Sequence, residues 1–173
     1  MPVEGEYLGM HLQINDNDGE NLTYFAHCAD HEFHLQQCQS CKLLCYPPRT
    51  ACPWCAEADF DWVPVEGKGT VHSYGEVHHA IQPALKEHAP YQILLVDLDT
   101  QKDQPEEFTS LRVAGNTATV EGELAPPDVV QQVGIGSRMR MVFKDVAPGL
   151  SLPMWTLDEE ADQPDAPWRY PQE

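Results

Sequence analysis

The sequence predicts a mainly β fold with one short helix ahead of the strands. Three observations carry this. From residue 67 onward, short apolar stretches alternate with Gly and Pro punctuation. Two Cys-x-x-Cys pairs, ten residues apart, lie between strand candidates. One stretch, residues 21–30, places Leu22, Phe25, Ala26 and Ala29 at the i, i+3, i+4, i+7 spacing of an apolar helix face.

Residues 1–20 hold Pro2, three glycines and a polar run at 15–20, and residues 10–14 alternate weakly, as a short strand or an arm. The helix at 21–30 is too short to stand alone in water and must dock on its own domain or on a partner. Residues 33–37 form a strand candidate that feeds the cysteines, and residues 60–65 form the returning strand. Beyond Gly67, strands are expected at 69–81, 91–99, 108–113, 117–124, 138–146 and 150–157. Gly115-Asn116 reads as the turn of a hairpin, and Asp128 as the cap of a helical turn over 129–133. Strict alternation at 138–146 puts Met139, Met141 and Phe143 on one face. Several short strands over about 85 residues predict a small β-barrel. The resulting division is an N-terminal arm and helix (1–32), a cysteine-bearing ribbon (33–66), a barrel (67–157) and an acidic, flexible tail (158–173) that cannot pack a core alone.

The 173 residues carry a formal charge of −18. Phosphate backbones and anionic membrane surfaces bind Lys and Arg, so nucleic acid and membrane are poor partners for such a chain. The longest apolar run is 93–96, which gives neither a membrane span nor a secretory core. The expected compartment is the reducing cytoplasm, where paired cysteines bind metal more often than they form disulfides.

Cys38, Cys41, Cys52 and Cys55 form two knuckles that strands bring together, as in a zinc ribbon. Four thiolates suit tetrahedral Zn²⁺, with iron the minor alternative. Such a site has no open coordination position, so its metal is structural. Lys42 and Arg49 are the natural counter-charges. Cys45 reads as a buried small apolar residue. Cys28, on the helix near His27 and His31, reads as packing rather than as a Cys-His nucleophile.

His27, His31 and His34 lie close in sequence but outside any HExxH frame. His78 and His79 point to opposite strand faces. Asp97 and Asp99 share a face at a strand end and read as a solvated edge. There is no P-loop, GxGxxG or GxSxG, and no catalytic residue is assigned. Arg138, Arg140 and Lys144 form the one basic cluster. They read as strand-surface charge or as a cradle for a phosphorylated ligand. Trp168 and Tyr170 stand out in the polar tail as anchors on a neighbour.

The run YFAHCADHEFHLQQCQSCKLLCYPPRTACPWC resembles the opening of the DUF35 family: an aromatic helix, a strand ending in Cys, CxxC, PPR and CPxC. GKGTVHSY, APYQILLVDLD, GIGSRMRMVF and SLPMW extend the resemblance over about residues 22–157. It implies an N-terminal helix, a rubredoxin-like zinc ribbon and a C-terminal OB-fold β-barrel. It further implies a non-catalytic accessory subunit of a thiolase-like (SCP2-thiolase type) partner, in a heterotetramer. The shared ligand would be a coenzyme A thioester, and the reaction a retro-aldol or thiolytic carbon–carbon cleavage such as steroid side-chain degradation. Arg49, Arg138, Arg140 and Lys144 are then the candidate acyl-CoA contacts, and Leu22, Phe25, Trp168 and Tyr170 the candidate docking residues. Two features depart from the family pattern. Lys42 stands where Gly often follows the first knuckle, and Asp99-Thr100 opens an insertion where Glu-Gly is usual. The alternative is a nucleic-acid-binding ribbon and OB module, against which the charge and the absence of a basic-aromatic groove both argue.

Overall fold

Leu8 and Gly9 both adopt positive φ, 51° and 76°, and this reverses the chain tightly enough to pair β1 (Val3–Tyr7) with β2 (Met10–Ile14). The computed structural model describes residues 1–170. Two compact units emerge: residues 1–66, 100–111 and 145–152 in the first; 67–99, 112–144 and 153 onward in the second.

In the first unit, α1 (Gly19–Ala29) starts at Asp18, whose carboxylate accepts from the Asn21 N–H at 3.2 Å. It ends where His31 takes φ 58°. Its buried residues are Tyr24 and Cys28 rather than the expected stripe. Aromatic packing sets this rotation: Tyr24 lies 5.1 Å from Phe25, 6.4 Å from Phe33 and 6.1 Å from Tyr46, centroid to centroid. Ala26 and Ala29 offer too little area to compete, so Leu22 and Phe25 remain half-buried flanks.

The three-stranded ribbon has order β4 (Leu44–Cys45), β3 (His34–Cys38), β5 (Phe60–Pro64). Two glutamine amides extend its short strand ladder. The buried Gln36 donates to the Arg49 carbonyl at 3.0 Å and accepts from the Arg49 N–H at 2.8 Å. Gln101 does the same for Leu44, at 3.2 and 2.6 Å. Each amide stands in for a strand partner.

The second unit contains β6 (Lys68–Val77), β7 (Tyr91–Leu98), β8 (Arg112–Asn116), α2 (Pro127–Val130) and most of β9 (Arg138–Ala147) and β10 (Leu150–Leu157), whose residues 145–152 belong to the first. The sheet order is β10-β9-β6-β7-β8. A parallel bridge from Thr117 to Trp155 joins the two edges, so the sheet closes on itself as a five-stranded Greek-key barrel of OB type. Leu94, Val96, Val113, Met139 and Trp155 are fully buried inside. Gln92, equally buried, donates to the Val133 carbonyl at 3.1 Å and accepts from Thr117 at 2.9 Å.

Three local expectations are corrected here. Gly115-Asn116 lies within β8 and is not a turn. The reversal sits at Gly122, φ 79°, where Thr119 and Glu123 close a loop. Asp128 does not cap α2: Pro126 precedes the helix and Asp128 lies in its first turn. Alternation along β9 fails after Met139, since Val142 is the next buried residue while Met141 and Phe143 are half-buried.

Residues 158–170 also differ from the flexible tail expected of them. Ile135 and Trp168 exchange backbone hydrogen bonds of 2.9 and 3.0 Å. Arg169 donates to the Val130 and Val133 carbonyls and to Glu76, and lies 5.6 Å over the Tyr74 ring. The sequence signal for this was one Arg between two aromatics in an otherwise acidic segment. Among the described residues, no helix is long and apolar enough to cross a membrane.

Candidate metal centre

β3 ends on Cys38, so the first knuckle is built on a strand terminus, and the chain returns through β4 and a proline-rich loop to the second. Each knuckle uses the same backbone device. The residue after its second cysteine is left-handed, Lys42 and Ala56 both at φ 63°. Its N–H donates to the carbonyl of the knuckle's first cysteine, Lys42 to Cys38 at 3.0 Å and Ala56 to Cys52 at 2.9 Å. The first cysteine's own N–H donates onward, Cys38 to Leu43 at 3.0 Å and Cys52 to Glu57 at 2.7 Å.

The four sulfurs converge within 4.8 Å of one another. Cys38 and Cys55 are 3.5 Å apart and Cys41 and Cys52 3.6 Å apart. Sulfurs at the corners of a tetrahedron around an ion, each bonded at about 2.3 Å, stand roughly 3.8 Å apart. The donor set and spacing therefore fit a closed tetrathiolate site. Burial opposes charge on Cys52, yet the N–H groups of Trp54 and Cys55 and the Cys41 and Cys55 thiols outweigh it and bring its pKa to about 6. Thiolate character thus begins on a sulfur that faces the centre.

Cys45 packs beside Cys38 and Cys52 but is not part of the converging set. Burial pushes its thiol up to about 12, so it remains a neutral apolar filler. Cys28 is fully buried and likewise pushed to about 12 by burial. A nucleophile needs an accessible thiolate, and Cys28 is neither accessible nor ionised.

The basic residues are engaged close to home. The Arg49 guanidinium donates to the Tyr46 and Pro47 carbonyls, at 3.3 and 3.2 Å. Arg138 clasps both oxygens of Asp99 and donates to Thr70 at 2.7 Å. Lys144 pairs with Glu123. Arg140 sits on β9 opposite Lys68. Asp97 and Asp99 do not act together: Asp97 faces Arg112 at 2.9 Å and His72 at 3.1 Å, while Asp99 belongs to Arg138. His78 bonds Glu76 at 3.1 Å. Of the three clustered histidines, His31 goes to Asp145 at 2.7 Å, whereas His27 and His34 stack on each other.

Trp168 and Tyr170 are exposed, and they line one side of a cleft of about 460 Å³ in the second unit. Ser73, Tyr74, Glu76, His78, Ile135 and Arg169 form the rest of its wall. Leu22 and Phe25 lie half-buried on the first unit.

Comparison with known proteins agrees with this architecture. Residues 62–144 match the family model described as "ChsH2, C-terminal OB-fold domain". A probable enoyl-CoA hydratase alpha subunit of Thermomonospora curvata is 37% identical over 46% of this chain and 24% of its own. A DUF35 domain-containing scaffold protein of Methanocaldococcus jannaschii is 34% identical over 36% of this chain and 45% of its own. The chain thus spans less than half the length of these curated relatives. Among solved structures, a chain of the Ltp2-ChsH2(DUF35) aldolase superposes with a TM-score of 0.63 and 28% identity, over 83% of this chain and 96% of that one. The cysteine knuckles and the closed OB barrel agree with these matches, and the chain is similar to proteins of the DUF35 family.

Proposed function

We propose that this protein is a non-catalytic accessory subunit of an acyl-CoA-processing enzyme, bound to a thiolase-like partner that carries the reacting groups. The observation that carries this reading is the likeness over 83% of the chain to a chain of the Ltp2-ChsH2(DUF35) aldolase. The reaction would be carbon–carbon cleavage of a coenzyme A thioester by a retro-aldol or thiolytic route, with a steroid side chain as one substrate. Its resident metal would be Zn²⁺ at Cys38, Cys41, Cys52 and Cys55, where a closed thiolate shell supplies rigidity and no Lewis acid. Trp168 and Tyr170, held out by an anchored tail, are suited to docking, since exposed aromatics anchor protein interfaces; Leu22 and Phe25 are the counterparts on the other unit. Of the basic residues, Arg138 and Lys144 would have to release Asp99 and Glu123 before touching a phosphate. Arg140 is therefore the better contact for coenzyme A, and Arg49 would have to leave only the neutral Tyr46 and Pro47 carbonyls.

Co-expression with a thiolase-like protein encoded beside it tests the reading. A heteromer that cleaves an acyl-CoA, with neither subunit active alone, is expected. Trp168→Ala together with Tyr170→Ala should weaken the complex without unfolding the chain. A chain that stays alone beside every such partner, or that turns over acyl-CoA unaided, would overturn it. A nucleic-acid role has no comparable support, because Arg138 and Lys144 already serve carboxylates.

A further inference from the structure

We propose that His27, Glu32 and His34 form a second metal site, separate from the tetrathiolate, for one divalent ion of the zinc class held by two imidazoles and a carboxylate. One nitrogen from each histidine and a carboxylate oxygen lie within 4.8 Å of one another. The backbone creates the meeting. His27 occupies the last turn of α1, His31 turns the chain through φ 58°, and the Glu32 N–H donates back to the His27 carbonyl at 3.0 Å. Four residues of loop, 30–33, thus return His34 to the face of the helix it has just left.

One distance argues for an ion. Nδ1 of His34 lies 3.7 Å from the Glu32 carboxylate, too long for a hydrogen bond. That nitrogen is buried and has no hydrogen-bond partner among the described residues. An orphaned buried polar atom is costly, and native folds rarely retain one without a reason. Two metal bonds of about 2.1 Å, meeting at a tetrahedral or somewhat wider angle, put nitrogen and oxygen roughly 3.4–3.8 Å apart. The observed gap is the width of an ion.

Two imidazoles and one carboxylate favour Zn²⁺, Co²⁺, Ni²⁺ or Cu²⁺ over Mg²⁺ and Ca²⁺, which prefer oxygen. The rings now lie 4.0 Å apart and 16° from parallel, so binding tilts them out of the stack to aim both lone pairs at one point. Three protein ligands leave a fourth position to water. Glu32 is 62% exposed, and that position faces solvent. The site does not depend on the partner reading above, since it needs only the free chain.

Cobalt separates the two sites by colour. The untagged full-length chain, stripped of metal under reducing conditions, is titrated with Co²⁺. The first equivalent should give the intense sulfur-to-cobalt charge-transfer bands of the thiolate site. A second should bind with weak d–d bands only, for a total of two per chain. His34→Gln should hold one ion, with the thiolate spectrum intact as proof of folding. Glu32→Gln, at an exposed position, should keep the fold and weaken the second ion on the order of tenfold or more. Saturation of the wild type at one Co²⁺ per chain would overturn the site, as would a second ion bound equally well by both variants.

Discussion

A Cβ on Gly134 would stand 2.4 Å from the carbonyl oxygen of Trp168. The tail backbone therefore rests directly on residue 134, and the hydrogen bonds between Ile135 and Trp168 depend on that close approach. Gly134→Ala should lift the tail from the barrel. Overpacking of this kind costs about 1–3 kcal/mol, but release of the tail lets the barrel avoid most of the strain. The expected result is rapid proteolysis between 158 and 170, with the barrel's thermal transition nearly unmoved. Wild-type protease resistance in the variant would show that the tail is held by something other than this contact.

The two knuckles carry an avoidable backbone cost. Lys42 and Ala56 each sit at φ 63°, where an L side chain pays about 1–2 kcal/mol and glycine does not. Both side chains are exposed, so little packing is lost. Ala56→Gly should stabilise the metal-loaded ribbon by roughly 0.5–1 kcal/mol, after the greater unfolded-state entropy of glycine is subtracted. Lys42→Gly should gain less, because it also removes a cation beside an anionic centre. Denaturant midpoints at fixed metal concentration measure both, and destabilisation by Ala56→Gly would contradict the account.

Gly115 and Gly122 show where the sequence was legible and where it was not. The tetrathiolate site announced itself, because four cysteines at knuckle spacing have few other uses, and the structure brings those four sulfurs together. The main strands were also readable, since β7 and β10 carry dense apolar patterns. Glycine was ambiguous. Gly115 looked like a turn, but a Cβ there would lie 2.8 Å from Trp155, so it serves packing inside a strand. Gly122, with φ 79°, makes the real reversal. Local composition does not distinguish a glycine that bends from one that makes room for an indole forty residues away. The same holds for Arg169: its partners Glu76, Val130 and Val133 are distant in sequence, and only tertiary structure supplies them. The stacking of His27 on His34 depends on a single left-handed residue, His31, that no propensity flags.

Loss of one thiolate should unfold the ribbon rather than merely weaken it. Beyond its sulfurs, the first unit's ribbon has the five-residue β3–β5 pairing, a two-residue third strand and two glutamine amides to hold its sheet. Structural zinc in such small lobes contributes on the order of 10 kcal/mol. Cys38→Ser, or a strong chelator, should therefore abolish amide protection over 34–64 while the barrel core around Leu94 and Trp155 stays protected. Hydrogen exchange followed by mass spectrometry reads both regions in one experiment. Protection retained over 34–64 in the metal-free chain would remove the structural role assigned to the site.

Alkaline pH offers a test of the pocket under α1. Burial pushes the Cys28 thiol up to about 12, with the Tyr24 hydroxyl pulling modestly the other way. In the unfolded chain the thiol ionises near 9, so above that pH the unfolded state releases a proton that the native state keeps. The contribution of Cys28 is therefore complete below about pH 9 and is lost as pH rises toward 12, at up to about 1.4 kcal/mol per pH unit. Burial also raises the Tyr24 hydroxyl, which adds a loss in the same direction above pH 10. Cys28→Ala removes the thiol's share and leaves that of Tyr24. At pH 7 the variant should be less stable by about 1 kcal/mol, because a buried sulfur has left a small void. Between pH 9 and 11 its stability should fall less steeply than that of the wild type, so that the two curves converge. Parallel curves across that window would mean that the thiol ionises alike in both states, and the buried, neutral Cys28 described above would be wrong.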